Sequence, residues 1–256
     1  MSRRSSQSRR AFTLMDVLVS MAVIAILISL MLPAVGSVTE TARRVVCQSN
    51  IRQIGVGTLM YADSYRGFLP PSVLLSSGPA RGAPEPENMI LARVPLELQE
   101  GNSGWDGLGY LYILDFLGSP PLFYCPSHKG ENRFSNHANA WQPEEAGELV
   151  INYHYRGQGP NGQARLPNGL LPMTRQLFHI DPSRTSLIAD GLRTRGDFNH
   201  RVGANYFRAD LSVHWYNDSG QRLLGMLPEQ KEEATAVTVN QAWELFDQAT
   251  GGVTVP

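Results

Sequence analysis

The chain has 256 residues, 22 of them basic and 23 acidic, for a net charge of −1. Near-neutral charge argues against a general nucleic-acid binder, and 42% hydrophobic residues exclude a disordered chain. Two cysteines are too few for a disulfide scaffold or a four-thiolate zinc site, and 24 glycines with 17 prolines point to many turns rather than a helical bundle.

The chain opens on residues 1–11, which carry Arg3, Arg4, Arg9 and Arg10 and no acid. An uncharged apolar run follows at 17–35, interrupted by two serines and Pro33. As a helix, its 19 residues span ~28 Å, close to the ~30 Å hydrocarbon core of a bilayer. The basic flank places the N-terminus on the cytoplasmic side and the remainder on the outer face. A plain signal anchor fits this pattern. A secretory signal cut after Gly36 fits less well, because the run exceeds the usual ~7–15-residue apolar core. Neither explains Asp16 at the edge of the apolar helix, since an acid costs roughly 2.5–3.5 kcal/mol at the bilayer centre and, though less near the interface, still asks for a reason.

The stretch from Ala11 through Phe12-Thr13-Leu14-Met15-Asp16 and the apolar run to Pro33 resembles the leader and first helix of type IV pilins and type II secretion pseudopilins. The resemblance implies cleavage between Ala11 and Phe12 by a prepilin peptidase, with methylation of the new amine. It implies that Asp16, as fifth mature residue, meets the amine of a neighbouring subunit, and that Pro33 kinks the helix. Ala11 replaces the usual Gly and Asp16 the usual Glu.

Past the membrane, Val38, Ala42, Val45, Ile51 and Ile54 recur at helical spacing, so the helix is expected to run from about 12 to 65. Gly55 and Gly57 each cost about 1 kcal/mol inside it, and either loosen it or admit a close neighbour. Pro70-Pro71 ends it. The segment Cys47-Gln48-Ser49-Asn50-Ile51-Arg52-Gln53-Ile54-Gly55 and Cys125-Pro126-Ser127 are similar to recurring features of a pseudopilin-like subgroup.

Residues 72–107 read as a long loop with a short helical or extended piece within 88–98, and 108–117 as a short helix. Residues 128–146 look irregular. Strands are expected at 149–155 and 186–189, a loop at 157–172, a hairpin from 205–209 and 212–216, and an amphipathic helix within 229–249.

Residues 179–215 contain His179, Asp181, Asp190, Asp197, His200, Asp210 and His214. No HExxH pair or nucleophile elbow occurs, and Asp181-Pro182 and Asp190-Gly191 read as turn chemistry. We therefore expect no catalytic residue, no metal and no cofactor. His200 and Asp210 resemble the H-x9-D-G motif of large pilin-like proteins, with Leu211 in place of the Gly. A tight I′ turn would be strained there, so a hairpin turn that is longer or of another type is expected. His200 reads as a residue that pins the loop to the hairpin. Cys47 and Cys125 are open to two readings: buried free thiols, or a disulfide stabilising by ~4–5 kcal/mol in the chain-entropy picture.

The expected fold is α+β: a long kinked N-terminal helix, its first half transmembrane, packed on an antiparallel sheet domain with long loops. The expected organisation is a leader at 1–11, a membrane or filament-core helix at 12–36 and an outer-face domain at 37–256, with the helix continuing through 37–65. The resemblance implies a non-enzymatic structural subunit of a type II secretion pseudopilus or type IV pilus-like filament in a bacterial inner membrane. Its implied partners are the prepilin peptidase, other pilin or pseudopilin subunits, the inner-membrane assembly platform and the lipid bilayer, with no nucleic acid. The competing reading is a membrane-anchored module for glycan or cargo docking, served by aromatics such as Trp105, Trp141 and Trp215.

Overall fold

The computed structural model describes residues 13–75, 84–98, 104–142, 145, 147–169 and 171–249. The chain forms two compact units, Met1–Ala42 and Arg43–Pro256. In chain order the elements are α1 (Leu14–Ser64), β1 (Leu91–Arg93), α2 (Gly109–Ile113), α3 (Phe134–His137), β2 (Leu149–Val150), β3 (Tyr153–Tyr155), β4 (Gly159–Pro160), β5 (Met173–Thr174), β6 (Ser186–Asp190), β7 (Gly203–Arg208), β8 (Val213–Asn217), α4 (Arg222–Met226) and α5 (Ala236–Gln248). The fold is α+β, as expected.

The described part of the first unit is the beginning of α1. Leu14–Leu32 is long and apolar enough to cross a membrane, and its side chains are exposed. The helix continues through Pro33. Thr13 opens it with a capping box, its backbone and hydroxyl donating to Asp16 Oδ2 at 3.0 and 2.8 Å. The Asp16 amide returns a bond to Thr13 Oγ1 at 3.3 Å.

The second unit is built on a four-stranded antiparallel sheet in the order β3-β6-β7-β8. Every residue of β6 and β7 is buried, so these central strands are covered on both faces. Side chains alternate across a strand. Ile188 and Phe207 face α1, joining Cys47, Ile51 and Ile54 in one core cluster. Ala189, Ala204 and Tyr206 face the other way, with Val239, Trp243 and Phe246 of α5. Tyr206 and Phe246 stack with centroids 4.8 Å apart. Thr235 caps α5 by accepting from the Thr238 amide.

The two glycines of α1 take the second of their two readings. A Cβ on Gly55 would clash with the Phe207 ring at 2.3–2.5 Å, and one on Gly57 would sit 2.9 Å from Leu117. Glycine therefore lets the helix lie close against the sheet and the chain following α2.

Several loop expectations are corrected. The short helical or extended piece expected within 88–98 is β1, which pairs antiparallel with β2; the loop reading of 72–107 missed the burial around it, of Met89, Ile90, Leu91, Ala92, Val94 and Trp105. A three-residue strand buried throughout has no period-two pattern to betray it. The expected single strand at 149–155 is two strands in different sheets, broken at Ile151-Asn152. Residues 159–160, expected in a loop, pair with 173–174. Within 128–146 stand α3 and a 3-10 turn ending on buried Trp141.

The hairpin turn at 209–211 is longer than a two-residue type. Arg208 O accepts from the Leu211 amide at 3.1 Å, and the Arg208 amide donates to Ser212 O at 2.9 Å. Leu211 has φ 72°, the left-handed conformation that glycine normally supplies.

Candidate functional site

Ala11 and Phe12, the expected processing pair, lie outside the described residues. Asp16 is exposed on the first turn of α1, and its carboxylate is engaged by Thr13 of its own chain.

The sheet assembles a different set. On α1, Cys47, Ile51 and Ile54 occupy positions i, i+4 and i+7 and share the face toward the sheet. On β6, Asp190 is two residues from Ile188 and therefore points to the same side, toward α1. Cys47 Sγ donates to Asp190 Oδ1 at 3.1 Å. The chain after the 3-10 turn at Pro120–Phe123 brings Cys125 to the same place, where its amide donates to Asn152 Oδ1 at 3.1 Å. The loop entering β7 adds His200, with Nε2 3.6 Å from Cys125 Sγ and 3.9 Å from Asp190 Oδ2. One donor atom from each of Cys47, Cys125, Asp190 and His200 lies within 4.8 Å of the other three. Their exposures are 0, 4, 0 and 1%.

The surroundings hold this group rigidly. Asp190 Oδ1 also accepts from Asn199 Nδ2 at 3.0 Å, and Oδ2 accepts from the Asn205 amide at 2.6 Å and its side chain at 3.3 Å. Tyr153 O–H donates to Cys47 Sγ at 3.4 Å. Trp215 of β8 meets the His200 ring edge-on at 5.6 Å, and the Arg44 guanidinium lies 4.3 Å from the Trp215 centroid. Burial, with the Cys125 sulfur and the Asp190 charge alongside, pushes the Cys47 thiol well up. Burial also opposes ionisation of Cys125, but hydrogen bonds from Cys47 and His200 outweigh it and lower its pKa. Cys125 is thus the sulfur that ionises first. Chemically the group offers two sulfurs, one imidazole nitrogen and one carboxylate.

Residues 36–145 match the model of a family described as a protein of unknown function (DUF1559). That family groups pilin-like proteins. The match covers less than half of the chain and begins after Pro33, so the processing motif is not within it. No curated protein and no solved structure matches the chain.

Cys47 and Cys125 are free buried thiols here rather than a disulfide. His200 does not meet Asp210. They stand at opposite ends of β7; Asp210 is exposed and accepts from the Ser212 amide and hydroxyl at 3.0 and 2.5 Å. Reading Asp190 as turn chemistry is corrected, because it closes β6 with no exposed surface. Two of the three tryptophans offered for ligand docking, Trp105 and Trp141, are core residues packed on each other at 5.9 Å. The missed residues Asp190, Asn199 and Asn205 had one signal, namely chemistry-bearing side chains clustered between two strand patterns. Asn199 and Asn205 lie only 9 and 15 residues from Asp190, but the thiol that Asp190 meets lies 143 residues away, so no local spacing marked the group.

Proposed function

We propose that this protein is a structural, non-enzymatic subunit of a pilin-like filament, of the type II secretion pseudopilus or type IV pilus-like class. In this reading a prepilin peptidase cuts between Ala11 and Phe12. The subunit then waits in a bacterial inner membrane with its domain on the outer face, and an assembly platform stacks it with other subunits. The observation that carries the reading is the exposed apolar surface of Leu14–Leu32, in the same continuous helix whose later residues line a domain core. Stacking exchanges lipid for neighbouring helices. Lipid tails are about as apolar as those helices, so packing and polar pairing drive the exchange more than dehydration does.

Asp16 supplies the polar pairing to a neighbour's amine and thereby sets register. In the single subunit its carboxylate is occupied by Thr13, so assembly trades a capping box for an intersubunit contact. Two variants separate these roles. Asp16→Ala is expected to insert normally in the membrane and to lose filaments. Thr13→Ala removes the cap, worth about 1 kcal/mol, but keeps the carboxylate, and should retain filaments. Equal yields from the two would reduce Asp16 to a cap. Intact mass and N-terminal sequencing of the membrane-extracted protein test the processing step, with methylated Phe12 expected as the first residue.

A further inference from the structure

We propose that Cys47, Cys125, Asp190 and His200 bind a zinc ion in a closed tetrahedral site. The donor set is the first argument. Thiolate, imidazole and carboxylate are the zinc ligands of proteins, and four of them around one point leave no open position. The spacing is the second. Bonds of about 2.3 Å to sulfur and about 2.0–2.1 Å to nitrogen put neighbouring tetrahedral donors roughly 3.3–3.8 Å apart. The Cys125–His200 separation of 3.6 Å falls within that range, and the Cys47–Asp190 and His200–Asp190 separations of 3.1 and 3.9 Å lie just outside it. The two Asp190 separations are to different oxygens, Oδ1 and Oδ2, and the four donors span up to 4.8 Å, so side-chain shifts of up to about 1 Å would complete the geometry.

Charge is the third argument. Asp190 is fully buried, the partners that bond it, Cys47, Asn199 and Asn205, carry no permanent positive charge, and His200 at 3.9 Å compensates it only when protonated. An uncompensated buried carboxylate costs several kcal/mol. A divalent ion supplies the missing charge, and the two thiol protons pass to solvent as the Zn–S bonds form. A disulfide between the two sulfurs would satisfy neither Asp190 nor His200. The outer hydrogen bonds from Asn199 and Asn205 to Asp190 and from Tyr153 to Cys47 are of the kind that orient metal ligands. Access also exists: an open cleft of about 390 Å³ lined by Val46, Asn50, Pro121, Leu122 and Phe134 reaches Cys125.

With four protein ligands the ion is structural. It ties α1, the segment after Pro120–Phe123, the end of β6 and the loop entering β7 to one point. Nothing in this depends on whether the protein assembles into filaments.

The test uses the full chain in detergent, purified with its thiols reduced and dialysed against zinc chloride. Elemental analysis is expected to find one zinc per chain, and both cysteines should resist alkylation until a chelator is added. Replacement by cobalt(II) should give the sulfur-to-metal charge-transfer absorption and the intense visible bands of a tetrahedral site. Cys125→Ser should weaken zinc binding by at least about tenfold. Asp190→Asn separates the ion from a merely hydrogen-bonded core. It should lower metal content, and a chelator should lower the Tm of the parent chain but not that of the variant, whereas without an ion the chelator would shift neither; Tm alone does not decide, because Asn also disrupts the bonds Asp190 accepts from Cys47, Asn199 and Asn205. Three results would overturn the proposal: a reduced chain that retains no zinc and shows no cobalt spectrum, a Cys47–Cys125 disulfide in the protein as isolated, or an Asp190→Asn variant of unchanged metal content with a Tm that, like the parent's, the chelator does not shift.

Discussion

Leu211 and His154 show what single side chains cost this fold. A branched side chain in the left-handed region is disfavoured by roughly 1–2 kcal/mol, and Leu211 holds φ 72° while half-exposed, so little packing offsets the strain. Glycine there relieves it but also enlarges the unfolded ensemble, by about 0.4–1 kcal/mol. Leu211→Gly should therefore raise stability by up to about 1 kcal/mol in denaturant melts, and a drop would mean the Leu211 side chain packs more than its exposure implies. His154 is wholly buried on β3. Its Nε2 lies 2.8 Å from Pro86 O, and no hydrogen-bond partner among the described residues reaches Nδ1. Burial pulls its pKa from 6.5 down to about 4. The unfolded chain then binds a proton that the folded chain refuses. Stability is full above pH 6.5 and falls as pH drops toward 4, by about 3 kcal/mol in all. His154→Gln should flatten most of that acid limb in a pH series of melts. His128, also lowered by burial, retains a smaller share.

At the scale of elements, α1 and the β7–β8 hairpin were the most legible. Periodic Val38, Ala42, Val45, Ile51 and Ile54 located a helix that runs over Leu14–Ser64, and alternation located the hairpin. The strands β4 and β5 were not, and β1 and β2 were placed only within a helical or extended piece and a single longer strand, because two or three residues carry no period and their pairing is decided by distant segments. Gly55 shows why local propensity alone misleads. Alanine would gain about 1 kcal/mol of helix propensity, but its methyl would clash with the Phe207 ring, and overpacking costs typically 1–3 kcal/mol. Gly55→Ala is therefore expected to destabilise the domain by about 1 kcal/mol net. Gly36→Ala, where nothing lies within 4 Å, should be neutral or stabilising. Parallel denaturation of the two variants checks both, and equal effects would remove the packing role from Gly55.

For the whole molecule, the division at Ala42 makes a prediction about partitioning. The second unit contains both core clusters. A chain starting at Ser37 should remain in aqueous solution with native near-ultraviolet dichroism, while the full chain partitions into detergent or lipid. Aggregation of the shortened chain would show that the first unit is needed for folding. The donor cluster was illegible for the same reason that it is informative. Cys47, Cys125, Asp190 and His200 each stood in a segment the sequence marked out, yet only the packing of α1 and the loop after Pro120–Phe123 on the sheet brings them to one point.

The 143 residues between Cys47 and Asp190 also set a clock. At roughly 5–20 residues per second of synthesis, α1 emerges about 7–30 s before the strand that covers it. For those seconds Ile51, Ile54 and the Cys47 thiol lack the β6–β7 part of their native surface. The growing chain must be sheltered by a chaperone or by its own transient packing, and a defect in that shelter would harm yield without touching any native contact.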